Sequence, residues 1–165
     1  MSKKLLLVRH AKSDWADANL SDFNRPLNSR GLRDSVEMAQ RVVMHKLIPQ
    51  KLVSSPALRA TTTCQLMAQT WKKEIKEIVF DAKIYEANVQ QLLNIVNGFD
   101  NGDDYMALFG HNNGITDFAV YLTDADLFNI PTCGVVLIEF PFDSWEMVSR
   151  HTGDVLMYDF PKNEI

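Results

Sequence analysis

The chain has 165 residues, 46% of them apolar and 23% charged, with a formal net charge of −4 at pH 7. That length and balance suit one folded domain with its own core and exclude an intrinsically disordered chain. The acidic balance excludes a general affinity for nucleic acid or for an anionic membrane, either of which needs a broad basic face.

No repeat, low-complexity tract or charge block divides the sequence, so residues 1–165 are read as a single domain. The two cysteines, Cys64 and Cys133, stand in helix-like and strand-like contexts and outside any C-x-x-C cluster, as buried thiols in a reducing compartment do. The four apolar residues after "MSKK" are too few for a signal peptide, and no run of about 18 apolar residues occurs. A cytoplasmic protein is expected.

Leu5 to Val8 is an unbroken apolar run, the pattern of a central parallel strand covered on both faces. Leu32, Val36, Ala39, Val43 and Leu47 recur at helical spacing and predict an amphipathic helix that ends before Pro49. Lys51 to Ser54 reads as a short strand. Ser55-Pro56 reads as the N-cap and first position of a helix through "ALRATTTCQLMAQTWKK". "EIVFDAKIY" predicts a third strand or edge segment, "NVQQLLNIVNGF" a helix, and "YMALFGH" a buried strand with a polar end. Asn113 is placed to cap a helix through "GITDFAVYLT". "GVVLIEFP" predicts a strand, and "SWEMVSRHTGDVLMYDF" a further strand or hairpin around Gly153-Asp154.

Strands alternating with helices imply a mainly parallel sheet between two helical layers, a three-layer αβα sandwich. Ligands of such sheets sit beyond the carboxyl ends of the strands. At those ends the sequence gathers Arg9 and His10 after the first strand, Arg59 in the first turn after the second, and His111 after a later one. A cation in a helix's first turn is unfavourable by up to about 1 kcal/mol unless an anion binds there. Arginine offers phosphate a planar fork of donors. A solvent-facing or acid-paired Arg59 is the plainer reading of that residue alone.

Positive neighbours disfavour imidazolium, so a histidine among arginines keeps a lone pair near pH 7. Such an imidazole can attack phosphorus and form a phosphohistidine that water hydrolyses. Arginines and a second histidine would neutralise the phosphoryl oxygens in the transition state. The scheme requires neither metal nor cofactor, and the chain carries no Walker-type glycine loop.

"LLLVRHAKS", "SSPALRATTT" and "LFGHNNG", in this order, resemble the histidine phosphatase superfamily, which includes phosphoglycerate mutases and acid phosphatases. "DFNRPLNSRG" and the short length resemble the compact bacterial phosphohistidine phosphatases of the SixA type. The resemblance spans nearly the whole chain, to "GDVLMYDFPK", and implies a phosphoglycerate mutase-like fold. It implies His10 as nucleophile, and Arg9, Arg59 and His111 as the phosphate pocket. Arg25 would be a further pocket arginine, and Glu86 a general acid; a solvated glutamate near a helix start is the other reading of Glu86. Ala11 stands where the superfamily has glycine, which would strain the alanine if that position has φ > 0. Ser13 could donate to phosphate and Lys12 add positive potential, while Trp15 and Phe23 either wall the pocket or pack their loop. His45 and His151 have no spacing that demands a role.

Between Tyr85 and Tyr105 there is room for one helix and two turns but no lid domain. The resemblance and the open site together imply a phosphatase acting on a phosphohistidine-bearing or other phosphorylated protein. A small-molecule phosphomonoesterase is the alternative. A module that only binds phosphate would have no use for a histidine nucleophile. Nothing in the sequence bears on oligomeric state.

Overall fold

The computed structural model describes residues 2–163. Its strands are β1 (Lys3–Arg9), β2 (Lys51–Ser54), β3 (Val79–Phe80), β4 (Tyr105–Gly110), β5 (Val135–Phe140) and β6 (Asp154–Asp159). Its α-helices are α1 (Ser29–Met44), α2 (Leu58–Thr70), α3 (Val89–Asn97) and α4 (Gly114–Thr123).

The six strands form one sheet in the order β3-β2-β4-β1-β5-β6. Pairings β1–β4, β2–β4 and β2–β3 are parallel, whereas β5 runs antiparallel to both β1 and β6. Leu5, Leu6, Leu7 and Val8 are all fully buried. Successive side chains on a strand point to opposite faces. Leu5 and Leu7 therefore join the core that holds Leu92 and Val96 of α3 and Phe118 of α4. Leu6 and Val8 join the opposite core, with Met38 and Val42 of α1 and Met67 of α2. The sheet thus lies between two helical layers, the three-layer αβα sandwich expected. Among the described residues, no helix is long and apolar enough to cross a membrane.

The stripe expected to anchor the first helix is not the one that does. α1 buries Gly31, Ser35, Met38, Ala39 and Val42, leaves Leu32 45% and Val43 40% exposed, and ends before Leu47. The cause is the close approach of its first turn to the chain after β1. A Cβ at Gly31 would lie 2.2 Å from the Lys12 carbonyl oxygen, so only glycine fits there. Ser35 is tolerated on the buried face because its Oγ donates to the Gly31 carbonyl (2.8 Å).

Two other boundaries shift, and at a third element only the capping side chain differs. α2 opens at Leu58, not at Ser55-Pro56, with Ala57 as an N-cap that makes no side-chain bond. The third strand contracts to Val79–Phe80 between two 3-10 turns, one of them opened by the Asp81 carboxylate accepting from the Lys83 amide (2.9 Å). Asn113 occupies the N-cap of α4, yet it is Asn112 Oδ1 that accepts from the Thr116 amide (3.2 Å). Cys64 lies in α2 as expected, while Cys133 lies in the turn before β5. Both are buried free thiols.

Candidate active site

The register of the parallel strands sets the site. Arg9 of β1 pairs with Gly110 of β4, and Ser54 of β2 with Phe109 of β4, so three neighbouring strands end at almost the same level. The next residues stay in line, because the His10 amide donates to Gly110 O and the Ser55 amide to Phe109 O, each at 3.0 Å. His10, His111 and Ser55 therefore face one crevice. A pocket of about 370 Å³ opens there. Arg9, His10, Ser13, Arg25, Arg59, Glu86 and His111, every site residue nominated from the sequence, line it, as do Lys12 and Trp15.

His10 is buried and its protonation pattern follows from its partners. Nδ1 lies 2.8 Å from the Ala11 carbonyl oxygen. A carbonyl only accepts, so Nδ1 carries the hydrogen. Nε2 then presents a lone pair, into which Arg59 Nε–H donates at 3.3 Å. Burial, then the charges of His111, Arg59 and Arg9, outweigh the Ala11 hydrogen bond and lower the His10 pKa to about 3. Burial followed by the charge of Arg59 lowers that of His111 to about 4. Desolvation, more than the arginine charges on which the sequence reading relied, keeps both imidazoles neutral.

His111 Nε2 meets Ser55 Oγ at 2.8 Å, and its ring stands 5.2 Å from that of His10. Ser55 is thus a support for His111 rather than a helix cap. Arg9 donates to the Ile130 carbonyl (2.7 Å). Burial pulls its pKa below the ordinary guanidinium value. Arg25 donates to Ser13 Oγ, and its guanidinium stacks 3.6 Å from the centre of the Trp15 ring. Ala11, fully buried, is not among the residues with positive φ, so it carries none of the strain considered for it. Glu86 is exposed at the rim, in the left-handed region with φ 58°.

Four lining residues escaped the sequence reading, Asp22, Tyr85, Asn112 and Thr132, and the first two shape the charge of the pocket. Asp22 receives Arg25 Nη2 on Oδ1 (2.9 Å) and both Arg59 Nη2 (2.9 Å) and the Tyr85 hydroxyl (2.6 Å) on Oδ2. The Tyr85 hydrogen bond, then those of Arg25 and Arg59, hold its carboxyl far below the usual carboxylate range. The Asp22 hydrogen bond, then burial and the negative charges of Asp22 and Glu86, push the Tyr85 phenol up to about 12. Tyr85 packs edge-on against His111 and Phe23. The cation in the first turn of α2 is therefore balanced by a carboxylate of the protein itself. The only sequence signal for Asp22 was its place three residues before Arg25.

His45 caps the C-terminus of α1 and His151 lies 3.6 Å from Asp124; neither lines the pocket. Among the described residues, no three His, Cys, Asp or Glu side chains gather in a metal-binding arrangement.

Residues 5–97 match the model of the histidine phosphatase superfamily (branch 1). An uncharacterized chloroplastic protein of Arabidopsis thaliana is 30% identical over 161 residues, which cover 93% of this chain and 73% of the relative. A protein from Agrobacterium tumefaciens described as a phosphohistidine phosphatase SixA superposes with TM-score 0.81 at 21% identity, over 96% of this chain and 98% of that one. The protein histidine phosphatase SixA in complex with tungstate superposes equally well, TM-score 0.81 at 17% identity, over 96% and 97%.

Proposed function

The chain belongs to the histidine phosphatase superfamily, and from that premise we propose that it hydrolyses phosphohistidine on a protein substrate through a phosphoryl intermediate on His10. The observation that carries this reading is the state of His10: a buried imidazole with Nδ1–H held by Ala11 and a lone pair on Nε2 inside a pocket lined by arginines.

In the first step the Nε2 lone pair forms a bond to phosphorus as the bond from phosphorus to the leaving nitrogen breaks. The leaving imidazole keeps that bonding pair and picks up a proton. In the second step water attacks phosphorus, the P–Nε2 bond breaks, and Nε2 regains its pair. Arg9, Arg25 and Arg59 neutralise the phosphoryl oxygens as charge moves, neutral His111 serves there only as a hydrogen-bond donor, and this chain's own guanidinium groups supply the positive charge without a metal. The Nδ1–H bond to Ala11 stabilises the ring while Nε2 carries phosphorus, as second-partner hydrogen bonds do for histidine generally.

Two features favour a protein substrate. The segment between Tyr85 and Tyr105 holds α3, whose Leu92, Leu93 and Val96 are buried in the core, so it contributes no lid. Imidazole leaves phosphorus readily, so the exposed Glu86 need only assist. The likeness to SixA structures, one described as a protein histidine phosphatase, points the same way. A specific observation keeps the small-molecule phosphomonoesterase in view: Glu86 lines the pocket, where it could protonate a departing alkoxide. Residues 1–165 act in this reading as one domain, in a reducing cytoplasm that suits free Cys64 and Cys133.

Turnover on a phosphohistidine-bearing phosphotransfer protein, compared with small phosphomonoesters, tests the reading. It expects a higher kcat/KM for the protein and loss of both activities in His10→Ala. Clear preference for the small esters overturns the protein substrate, and unchanged turnover in His10→Ala overturns the nucleophile.

A further inference from the structure

We propose that Asp22 is a resident competitor anion: its carboxylate occupies the phosphate-binding forks of Arg25 and Arg59 and is displaced by the incoming phosphoryl group. The inference rests on the reading of the pocket as a phosphoryl site and adds to it a residue that sets affinity for substrate and product.

A planar guanidinium fork is matched equally to carboxylate and phosphate. Asp22 spreads its two oxygens over both arginines, the arrangement a ligand bridging those side chains would adopt. The backbone carbonyl of Asp22 accepts from Arg59 Nη1 as well (2.6 Å). These donors are thus engaged before any phosphoryl group arrives.

The segment that carries Asp22 is built to let go. All residues from Trp15 to Asn24 are exposed. Its stem is closed by the Asp14 amide on Pro26 O (2.8 Å) and by the bridge between Ser13 and Leu27. Within the segment, hydrogen bonds such as Asn19 N to Asp17 Oδ1 and Asn24 N to Ser21 O are local. Toward the body of the protein it reaches through the Asp22 contacts, the Phe23–Tyr85 edge contact and Trp15 on Arg25. A stretch with few buried apolar contacts and a fixed stem opens at low cost.

A phosphoryl dianion brings more charge to the forks than a single carboxylate and so can take them over. The same competition works on the product: as inorganic phosphate forms, Asp22 is at hand to reclaim the arginines and expel it. Two roles for Asp22 then predict opposite signs. A competitor, once removed, leaves phosphate binding tighter; a residue that merely holds the arginines in position leaves it weaker.

The test is the inhibition constant of inorganic phosphate and of orthovanadate for wild type and Asp22→Asn, which keeps the shape and removes the charge. The expected result is binding tighter by about tenfold, equivalent to about 1.4 kcal/mol shared between two partly exposed charge pairs. KM should fall in parallel. Unchanged or weaker binding in a variant that melts cooperatively overturns the inference. Should Asp22→Asn not fold, Tyr85→Phe removes the hydroxyl bond to Oδ2 and is expected to tighten phosphate by a smaller factor; no tightening there overturns it equally. Wild type supplies the control: if phosphate and vanadate fail to compete with substrate at all, the reading of the pocket has failed, whereas competition in wild type with no gain in the variants removes Asp22 alone.

Discussion

Two neutral buried imidazoles make the stability of this protein depend on pH in a calculable way. For His10, the folded value of about 3 lies well below the ordinary imidazole value of 6.5. The unfolded chain therefore binds more protons than the native one as pH falls below about 6.5, so the contribution of neutral His10 is complete above that pH and is progressively lost down to about 3. Linkage over the interval from pH 7 to pH 5 gives a loss of about 2 kcal/mol for this residue. Other groups titrate in the same interval, so the wild type alone is not diagnostic. The comparison is urea unfolding at pH 7, 6 and 5 for wild type and His10→Gln, which differ in the one titrating group. Wild type should lose about 2 kcal/mol more than the variant across the interval. Parallel pH curves for the two proteins would mean that His10 titrates like an exposed imidazole, and the lone pair on Nε2 would lose its physical basis.

Four further outcomes follow from named contacts. Gly31→Ala puts a methyl group 2.2 Å from the Lys12 carbonyl, which should destabilise the fold by about 1–3 kcal/mol in thermal melts. Ser55→Ala removes the 2.8 Å partner of His111; kcat should fall about tenfold with KM moving less, the cost of a poorly positioned imidazole. Arg59→Lys removes the fork that spans His10 Nε2 and Asp22, and kcat/KM should fall about 10²–10³-fold because a point charge cannot bridge both. Activity on phosphohistidine protein should persist at pH 5, since the pKa values of about 3 and about 4 keep His10 and His111 neutral there; an acid limb near pH 6.5 in the rate profile would contradict this.

How far the sequence reached differs by feature, for physical reasons. Leu5 to Val8 was legible because a strand covered on both faces has no alternative to an unbroken apolar run. The gathering of Arg9, His10, Arg59 and His111 was legible because parallel strands must end on one edge of the sheet, and charged residues directly after apolar runs mark that edge. The buried face of α1 was not. Leu32, Val36 and Val43 suggested one stripe by hydropathy, whereas the contact with the Lys12 backbone demanded smallness at Gly31 and Ser35, and size at a close approach is invisible to a hydropathy pattern. Asp22 and Tyr85 were missed for a different reason. Their importance lies in contacts 37 and 63 residues apart along the chain, from Asp22 to Arg59 and to Tyr85, and an aspartate in a polar loop looks the same whether it meets water or two guanidinium groups.

The most direct measurement is to quench the enzyme during turnover on a phosphorylated substrate and locate the phosphate it carries. An acid-labile, base-stable phosphate bonded to Nε2 of His10, absent from His10→Ala, is the predicted result, since Nδ1 is held by the Ala11 carbonyl. A phosphate on any other side chain, or on His10 Nδ1, would contradict the reading of this pocket.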